Sequence, residues 1–260
     1  MSAASESLRE RHVRCGRIQA RVWEKGSGEP LLFLAGIGGL TRWTPCLDAL
    51  AATRRVIVPS LPGQPGGLGH DELDSVLDWI TATLDLIDAV GALGIDWVGV
   101  SIGGTLAAEA AAASRGCRRL ALLSPLGVYC PDDPVTDVFC QPPGALAGLL
   151  CSQPTSRAYF TPDSSDPIEA QVLVARASEA AARLLWPTTD TGLSRRLHRI
   201  IAPTLLMRGS EDAVLPASYL ARIADGIGGP TELATLPGAG HLADLDAPRE
   251  VAGRLLGFLG

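Results

Sequence analysis

The stretch Trp97-Val98-Gly99-Val100-Ser101-Ile102-Gly103-Gly104 contains a G-x-S-x-G motif between two apolar runs. The residues before the serine are typical of a buried strand, and the alanine-rich run at 106–113 predicts a helix that packs flat against a sheet. A serine at such a strand-to-helix corner lies in a tight turn that pushes its hydroxyl outward. Glycines flank it because larger side chains would collide with the strand and the helix. The motif therefore predicts that Ser101 is a nucleophile.

A serine nucleophile needs a base to accept its proton, and the chain has four histidines. His12 lies in a charged N-terminal stretch, and His70 follows a glycine-rich loop. His198 lies in an arginine-rich segment that is typical of a solvated helix face. His241 differs because it ends a glycine-rich loop directly after a short strand pattern, where a histidine can be aimed at a nucleophile. We therefore expect His241 to be the base.

The base in turn needs a carboxylate to fix its tautomer and to stabilise the imidazolium. A short apolar strand is predicted at 203–207, and Gly209 is predicted to end it. Glu211 and Asp212 then follow in a loop, before a helix predicted to begin at Pro216. The register after the glycine favours Asp212 as the acid, with Glu211 as its rival.

The order serine, aspartate, histidine, each on a loop after a strand, is the order of the α/β-hydrolases. Over nearly its full length the chain resembles this superfamily, in the form with a serine nucleophile and a cap. The resemblance implies an α/β-hydrolase fold, with a doubly wound, mostly parallel sheet and a small helical cap insertion. Besides the motif around Ser101 and besides His241, it is carried by the stretches 31–39, 59–63, 201–209 and 248–259.

The resemblance also implies an oxyanion hole made of two backbone N–H groups. By motif position these belong to Ile37, in the glycine-rich loop after the first parallel strand, and to Ile102, after the nucleophile. Many members carry histidine where this chain has Ala35 and Val100. A serine nucleophile favours acyl chemistry, whereas haloalkane dehalogenases and typical epoxide hydrolases of the superfamily attack with aspartate.

Strand and helix patterns alternate along most of the chain after a predicted hairpin around Gly16, which favours a parallel doubly wound sheet. The alternation fails in a proline-rich region. We therefore predict a core of residues 1–125 and 200–260 and a helical cap at 126–199, with a helix at 168–185. The apolar cap residues predicted to line a substrate pocket are Val138, Phe139, Leu146, Leu149, Leu150, Tyr159, Phe160 and Trp186.

Composition excludes several classes of protein. The 260 residues are 47% hydrophobic with a net charge of −6, so the chain is neither disordered nor a typical nucleic-acid binder. It has no apolar stretch long enough for a membrane span and no signal-peptide pattern at its start. Six scattered cysteines predict reduced thiols in a cytoplasmic protein. We expect a monomer or a homodimer. No metal or nucleotide cofactor motif is present.

These patterns predict a cofactor-independent serine hydrolase. It would act on the carbonyl of a fairly hydrophobic small molecule: an ester, a lactone, a thioester or a C–C bond beside a ketone. The alternative is a non-hydrolytic cyclase, lyase or acyltransferase of small-molecule biosynthesis, because the same base and oxyanion donors would serve it. A third and weaker hypothesis is a ligand receptor without catalysis.

Overall fold

A central sheet organises the computed structural model, which describes residues 7–142, 144–160, 166–187 and 189–260. In spatial order its strands are β1, β2, β4, β3, β6, β7, β8 and β9, and the short β5 pairs with β2. The strands are β1 (Arg9–Cys15), β2 (Ile18–Lys25), β3 (Glu29–Leu34), β4 (Arg54–Pro59), β5 (Gly67–Leu68), β6 (Asp96–Val100), β7 (Leu120–Leu123), β8 (Thr204–Gly209) and β9 (Thr231–Leu236).

The sheet is parallel from β4 to β9, while β1, β2 and β5 supply its antiparallel pairs. Strands β3, β6 and β7 are fully buried over most or all of their length, as expected for parallel strands covered on both faces. The predicted doubly wound, mostly parallel architecture is confirmed. The carboxyl ends of β6, β7, β8 and β9 therefore lie along one edge of the sheet, where such folds bind ligands.

Helices flank the sheet in two groups, α1 with α8 and α9, and α2 with α3. The helices are α1 (Pro45–Ala51), α2 (Val76–Ala89), α3 (Ile102–Ser114), α4 (Leu146–Leu150), α5 (Arg157–Phe160), α6 (Pro167–Leu185), α7 (Tyr219–Gly226), α8 (Ala243–Asp246) and α9 (Pro248–Leu259). Among the described helices, none is both long enough and apolar enough to cross a membrane.

Two predicted boundaries near the acid differ from the structure. Strand β8 includes Gly209 instead of ending before it, and this residue pairs with Leu236 of β9. A side chain at position 209 would overlap the carbonyl of Ala239, so the glycine permits the close approach of the two loops. The next helix begins at Tyr219 and not at Pro216.

The arginine-rich segment before β8 is not a solvated helix face. It forms two short 3₁₀ turns, Leu193–Arg195 and Leu197–Arg199, in which Ser194, Arg195 and His198 are exposed. The Arg196 guanidinium lies 2.7–2.8 Å from the buried Glu109 carboxylate of α3, and Arg199 donates to the carbonyl of Ala112. These contacts fasten the end of the predicted cap to the helix that follows the nucleophile.

The predicted cap region, residues 126–199, contains α4, α5 and α6. Pro143, Pro162 and the Phe160 side chain, which the sequence placed in this region, lie outside the described residues. All six cysteines are free thiols; Cys46, Cys130 and Cys151 are buried, whereas Cys140 is exposed.

Candidate active site

Ser101 occupies the corner between β6 and α3 in a strained backbone conformation, with φ 51° and ψ −119°. A non-glycine residue with positive φ is uncommon and is held only where its surroundings determine it. Here the Ser101 N–H donates to the Leu123 carbonyl at 2.8 Å. A Cβ atom at Gly99 would lie 2.5 Å from the Gly103 carbonyl oxygen, and one at Gly103 would overlap the carbonyl of Leu34. The corner therefore requires both glycines.

The predicted base lies beside this serine. His241 follows β9 in the loop 237–242 and is 1% exposed. Its Nε2 is 2.9 Å from Ser101 Oγ, which is hydrogen-bond distance although the two residues are 140 positions apart. The structure thus brings together the two residues that the sequence paired, whereas His12, His70 and His198 are not hydrogen-bonded to Ser101.

The acid position is occupied by Asp212 and not by its rival Glu211. The Asp212 carboxylate lies 3.1 and 3.2 Å from His241 Nδ1 through its two oxygens. Glu211 is exposed, and its side chain accepts a hydrogen bond from Ser210 at 3.2 Å. The three side chains therefore form one continuous hydrogen-bonded chain.

The Asp212 carboxylate stays ionised although it is buried. Burial alone raises its pKa, but the charge and hydrogen bond of His241, the N–H of Leu215 and the hydroxyl of Ser124 together lower it to about 2. The backbone N–H of Val214 also donates to it, at 2.9 Å. A carboxylate held ionised in this way can fix the tautomer of the histidine and stabilise an imidazolium.

The two backbone N–H groups predicted for the oxyanion hole belong to Ile102, directly after Ser101, and to Ile37, directly after Gly36. Ile102 is the first residue of α3, and Ile37 lies in the loop after β3, where a Cβ at the neighbouring Gly36 would be 3.5 Å from Ser101 Cβ. Within the described part of the chain, neither N–H has a hydrogen-bond partner. A substrate oxygen is therefore free to accept from both.

Gln64 braces the loop that carries Ile37, and sequence reasoning did not find it. Its Nε2 donates to the carbonyls of Ala35 at 3.3 Å and Gly36 at 2.9 Å. Its Oε1 accepts from the Leu61 N–H at 3.1 Å. The side chain thus holds the loop at Ala35 and Gly36. The sequence offered only a weak signal, a glutamine in the glycine-rich loop after β4.

Ser124 was also missed. It follows β7 with φ 45°, and its hydroxyl donates to Asp212 at 2.8 Å. Ser124 directly follows a buried parallel strand, and Asp212 was predicted from a similar position. The sequence reasoning considered only acids and histidines at such positions and not hydroxyl residues.

Asp246 connects the histidine loop to the predicted cap. Its Oδ2 accepts the N–H of Gly240, next to the base, at 2.8 Å. The same oxygen accepts the N–H and hydroxyl of Ser152 at 2.8 and 2.9 Å, and Oδ1 accepts the N–H of Gln153 at 3.1 Å. One carboxylate therefore fixes the position of the base relative to the chain after α4.

A cavity of about 380 Å³ lies between α6, the segment 138–146 and Ile37 of the oxyanion loop. Of the cap residues predicted to line a pocket, Val138, Phe139 and Leu146 line this cavity. Leu150 is instead fully buried, and Trp186 is 57% exposed. Leu149 and Tyr159 pack against the hydrophobic core.

Within the described residues, no group of three histidine, cysteine, aspartate or glutamate side chains is arranged to hold a metal ion. Hydrogen bonds join Ser101, His241, Asp212 and Ser124 in that order. This arrangement is suited to attack of the Ser101 hydroxyl on a carbonyl carbon.

Comparison with known proteins places these observations in a family. Residues 31–254 match the model described as "Alpha/beta hydrolase family". Among solved structures, the chain superposes on a 2-hydroxy-6-oxo-6-phenylhexa-2,4-dienoate hydrolase from Rhodococcus sp. strain RHA1 with a TM-score of 0.77 at 17% identity, covering 98% of this chain and 99% of the other.

Three curated relatives are similar along most of the chain. A 2-hydroxy-6-oxo-2,4-heptadienoate hydrolase from Pseudomonas putida is 28% identical, over 92% of each chain. A pimeloyl-[acyl-carrier protein] methyl ester esterase from Xanthomonas campestris is 28% identical, over 90% of this chain and 96% of the relative. The dihydrolipoyllysine-residue acetyltransferase component of an acetoin cleaving system from Pseudomonas putida is 29% identical, over 94% of this chain and 67% of the relative.

Proposed function

Because the chain belongs to the alpha/beta hydrolase family, we propose that it is a serine hydrolase that uses Ser101, His241 and Asp212 as a catalytic triad. The observation that carries the proposal is the unbroken hydrogen-bonded chain from Ser101 Oγ through the imidazole to the carboxylate. Serine is a weak nucleophile on its own, and this arrangement is what activates it. Relatives named as a methyl ester esterase and as a 2-hydroxy-6-oxo-2,4-heptadienoate hydrolase support hydrolysis as the reaction.

In the proposed first half-reaction, Ser101 Oγ attacks the carbonyl carbon of the substrate while His241 Nε2 accepts the hydroxyl proton. Asp212 stabilises the imidazolium that forms. The carbonyl oxygen, now negatively charged, accepts from the N–H groups of Ile37 and Ile102. Each such donor typically contributes about 3 kcal/mol of transition-state stabilisation.

The intermediate then collapses, and the imidazolium gives its proton to the leaving group. In the second half-reaction His241 takes a proton from water, and the resulting hydroxide equivalent attacks the acyl-enzyme ester. The same oxyanion donors stabilise the second intermediate, and Ser101 is regenerated as the acid product leaves.

The substrate we propose is a fairly hydrophobic small molecule covered by residues 126–199 acting as a cap. The cavity beside Ile37 supports this, because its lining includes Val138, Phe139, Leu146 and Val174. The relatives named as a methyl ester esterase and as a 2-hydroxy-6-oxo-2,4-heptadienoate hydrolase support an ester or a C–C bond beside a ketone as the bond that is cleaved.

The proposal is tested by turnover of p-nitrophenyl esters of short acids in water enriched in ¹⁸O. We expect the wild-type protein to release p-nitrophenol together with acid that has gained one ¹⁸O atom. Ser101→Ala and His241→Ala should each lower kcat by about 10⁴-fold or more, and the double variant should lose little further activity. Turnover that survives either substitution would contradict the proposal.

The alternative is acyl transfer to a nucleophile other than water, which one relative's name, an acetyltransferase component, favours. The first half-reaction is unchanged, and an acceptor then replaces water. An acceptor alcohol or thiol that captures the acyl group in preference to water, so that the ¹⁸O-labelled acid falls as the acceptor concentration rises, would support this alternative.

A further inference from the structure

The cavity beside the oxyanion loop has one ionisable side chain among its described lining residues, and that side chain is an acid. Glu179 of α6 lines it, with Ser178 on the same helix and Gln141 on the opposite wall. The other described lining residues are apolar or glycine. The cap residues outside the description, Pro143, 161–165 and Thr188, include no lysine, arginine or histidine. The undescribed residues of the cap therefore cannot supply a cation to this cavity.

The cations near Glu179 are already paired with it. Arg183 Nε lies 2.6 Å from Oε1, and His70 Nε2 lies 2.7 Å from Oε2. Arg183 also pairs with Asp74 at 3.5 Å, and Asp71 is near enough to act on its charge. Three carboxylates thus surround one guanidinium and one imidazole. Because three carboxylates are grouped with one guanidinium and one imidazole, these side chains together carry a net negative charge.

Arg176, the other arginine of α6, binds outside the described lining of the cavity. Arg176 donates through Nε to the Gly63 carbonyl at 3.3 Å, on the core loop below the helix. An anionic group entering the cavity would lose its hydration, face the Glu179 carboxylate and find no cation among the described lining residues. Binding of an anion is disfavoured because its charge is repelled by Glu179 and because no contact replaces its lost hydration.

We propose that this cavity holds the part of the substrate remote from the scissile carbonyl and that Glu179 excludes carboxylates from it. The substrate class is then an acyl compound whose far end is uncharged or cationic. This inference rests on the proposed function, because it concerns the substrate of that same site.

Three p-nitrophenyl esters with six-carbon acyl chains and different far ends test this: the hexanoate, the monoester of adipate, and the 6-(trimethylammonio)hexanoate. We expect kcat/KM for the hexanoate to exceed that for the adipate by at least about tenfold, since like charges placed together weaken binding strongly. The trimethylammonium ester should not suffer this loss.

Substitution of the acid tests its role directly. Glu179→Gln keeps the size of the side chain, and we expect it to narrow the hexanoate-to-adipate ratio by at least about fivefold. Glu232→Gln removes one negative charge from the exposed strand β9 and is the matched control, with an unchanged ratio. If Glu179→Gln is unstable, the salt dependence of the wild-type protein tests the same point.

Glu179 is half-exposed, so about 1 M salt should screen its charge and lower the hexanoate-to-adipate ratio of kcat/KM.

A wild-type ratio near one would contradict this inference while leaving the proposed hydrolase intact. So would a ratio that neither salt nor a folded Glu179→Gln variant changes. Failure to hydrolyse any of the three esters, with Ser101 unreactive towards an organophosphonate, would instead contradict the proposed function and this inference with it.

Discussion

Four donors converge on the carboxylate of Asp212, and their number explains how a buried acid remains charged. Besides the imidazole of His241, the donors are the N–H groups of Val214 and Leu215 and the hydroxyl of Ser124. Hydrogen bonds to an ionised group are stronger than those between neutral groups. Each donor therefore contributes both to stability and to the orientation of the base.

Replacing Ser124 with alanine removes one of these donors. We expect the free energy of unfolding at pH 7 to fall by about 1–3 kcal/mol and kcat to fall with it. Because the pKa of Asp212 is lowered to about 2 in the folded state, its stabilising contribution is present above the unfolded pKa near 4 and is lost as pH falls towards 2. Denaturant unfolding at pH 7 and pH 3 measures this, and the deficit of the variant should be smaller at pH 3.

The matched control for that variant is Ser194→Ala, since Ser194 is exposed in a 3₁₀ turn. It should leave both stability and kcat unchanged. A Ser124→Ala variant with an identical deficit at both pH values would contradict the assigned hydrogen bond to an ionised acid.

Gln64 offers a second test of a single side chain. Gln64→Leu removes the hydrogen bonds to the carbonyls of Ala35 and Gly36, so the Ile37 N–H should no longer be held towards the substrate oxygen. We expect kcat to fall by about 10–100-fold with a smaller change in KM, because the oxyanion forms only after binding. Steady-state kinetics of ester hydrolysis measures it, with the exposed Gln19→Leu as the control. A change confined to KM would count against the bracing role.

At the scale of elements, the loop of the proposed base, His241, is connected by hydrogen bonds to the proposed cap. Asp246 at the end of α8 holds Gly240 and the chain after α4 together, and the Leu242 N–H donates to the carbonyl of Leu150. The segment 126–199 also reaches the acid loop, where Thr136 bonds to the carbonyls of Ala213 and Val214. Movement of the cap should therefore displace both partners of the nucleophile.

Asp246→Asn weakens this connection, because an amide nitrogen cannot accept the N–H groups that one carboxylate oxygen now accepts. We expect kcat to fall by about tenfold or more and backbone amides of 150–153 and 240–242 to exchange faster with deuterium, since both segments lose their anchor. Asp246→Glu should recover part of the activity, and Asp225→Asn on the exposed face of α7 is the control. Unchanged exchange in both segments would be incompatible with this role.

The elements of this chain differ in how far their sequence determines them. The corner at Ser101 was predictable because strand, glycines and helix are adjacent in sequence. The stretch 248–259 also predicts a closing helix, and α9 has these bounds, Pro248–Leu259. The apolar periodicity predicts a helix from Glu72 to Val90, whereas α2 begins at Val76 because the capping box of Ser75 and Asp78 starts it. Glu72 instead ends a short 3₁₀ turn, His70–Glu72.

The bracing side chains escaped prediction for a different reason. Gln64 and Asp246 bind backbone groups that are distant in sequence, and Ser124 donates to the distant side chain of Asp212. No local pattern encodes which partner such a side chain reaches. The choice of Asp212 over Glu211 was predictable from the spacing after Gly209, and the Asp212 carboxylate does lie beside His241. Cap residues show the same limit, since Trp186 is as apolar as Phe139 yet is exposed.

At the scale of the whole molecule, one buried acid should give stability an unusual pH dependence. Asp244 of α8 is 3% exposed, and one of its carboxyl oxygens has no hydrogen-bond partner in the described structure. Burial raises its pKa to about 7, and the nearby Asp246 adds to this. The folded state therefore holds a proton that the unfolded chain releases near pH 4.

Because the folded pKa is raised, the stability contributed by protonated Asp244 is present below pH 4 and is lost as pH rises towards 7. We expect wild-type protein to lose stability relative to Asp244→Asn between pH 5 and pH 8, by roughly 2–4 kcal/mol. Denaturant unfolding of both proteins across this range measures the difference, with Asp225→Asn as the control. Parallel pH profiles for wild type and Asp244→Asn would show that Asp244 does not bind this proton.

The most direct test of the central claim is the reaction of the folded protein with a fluorophosphonate, followed by mass spectrometry of its peptides. An activated serine attacks phosphorus and retains the phosphonyl group, so the adduct identifies the nucleophile without knowledge of the substrate. We predict one adduct, on Ser101, that Ser101→Ala abolishes and His241→Ala slows by orders of magnitude. Folded wild-type protein that stays unlabelled, or an adduct on another residue, would contradict the account.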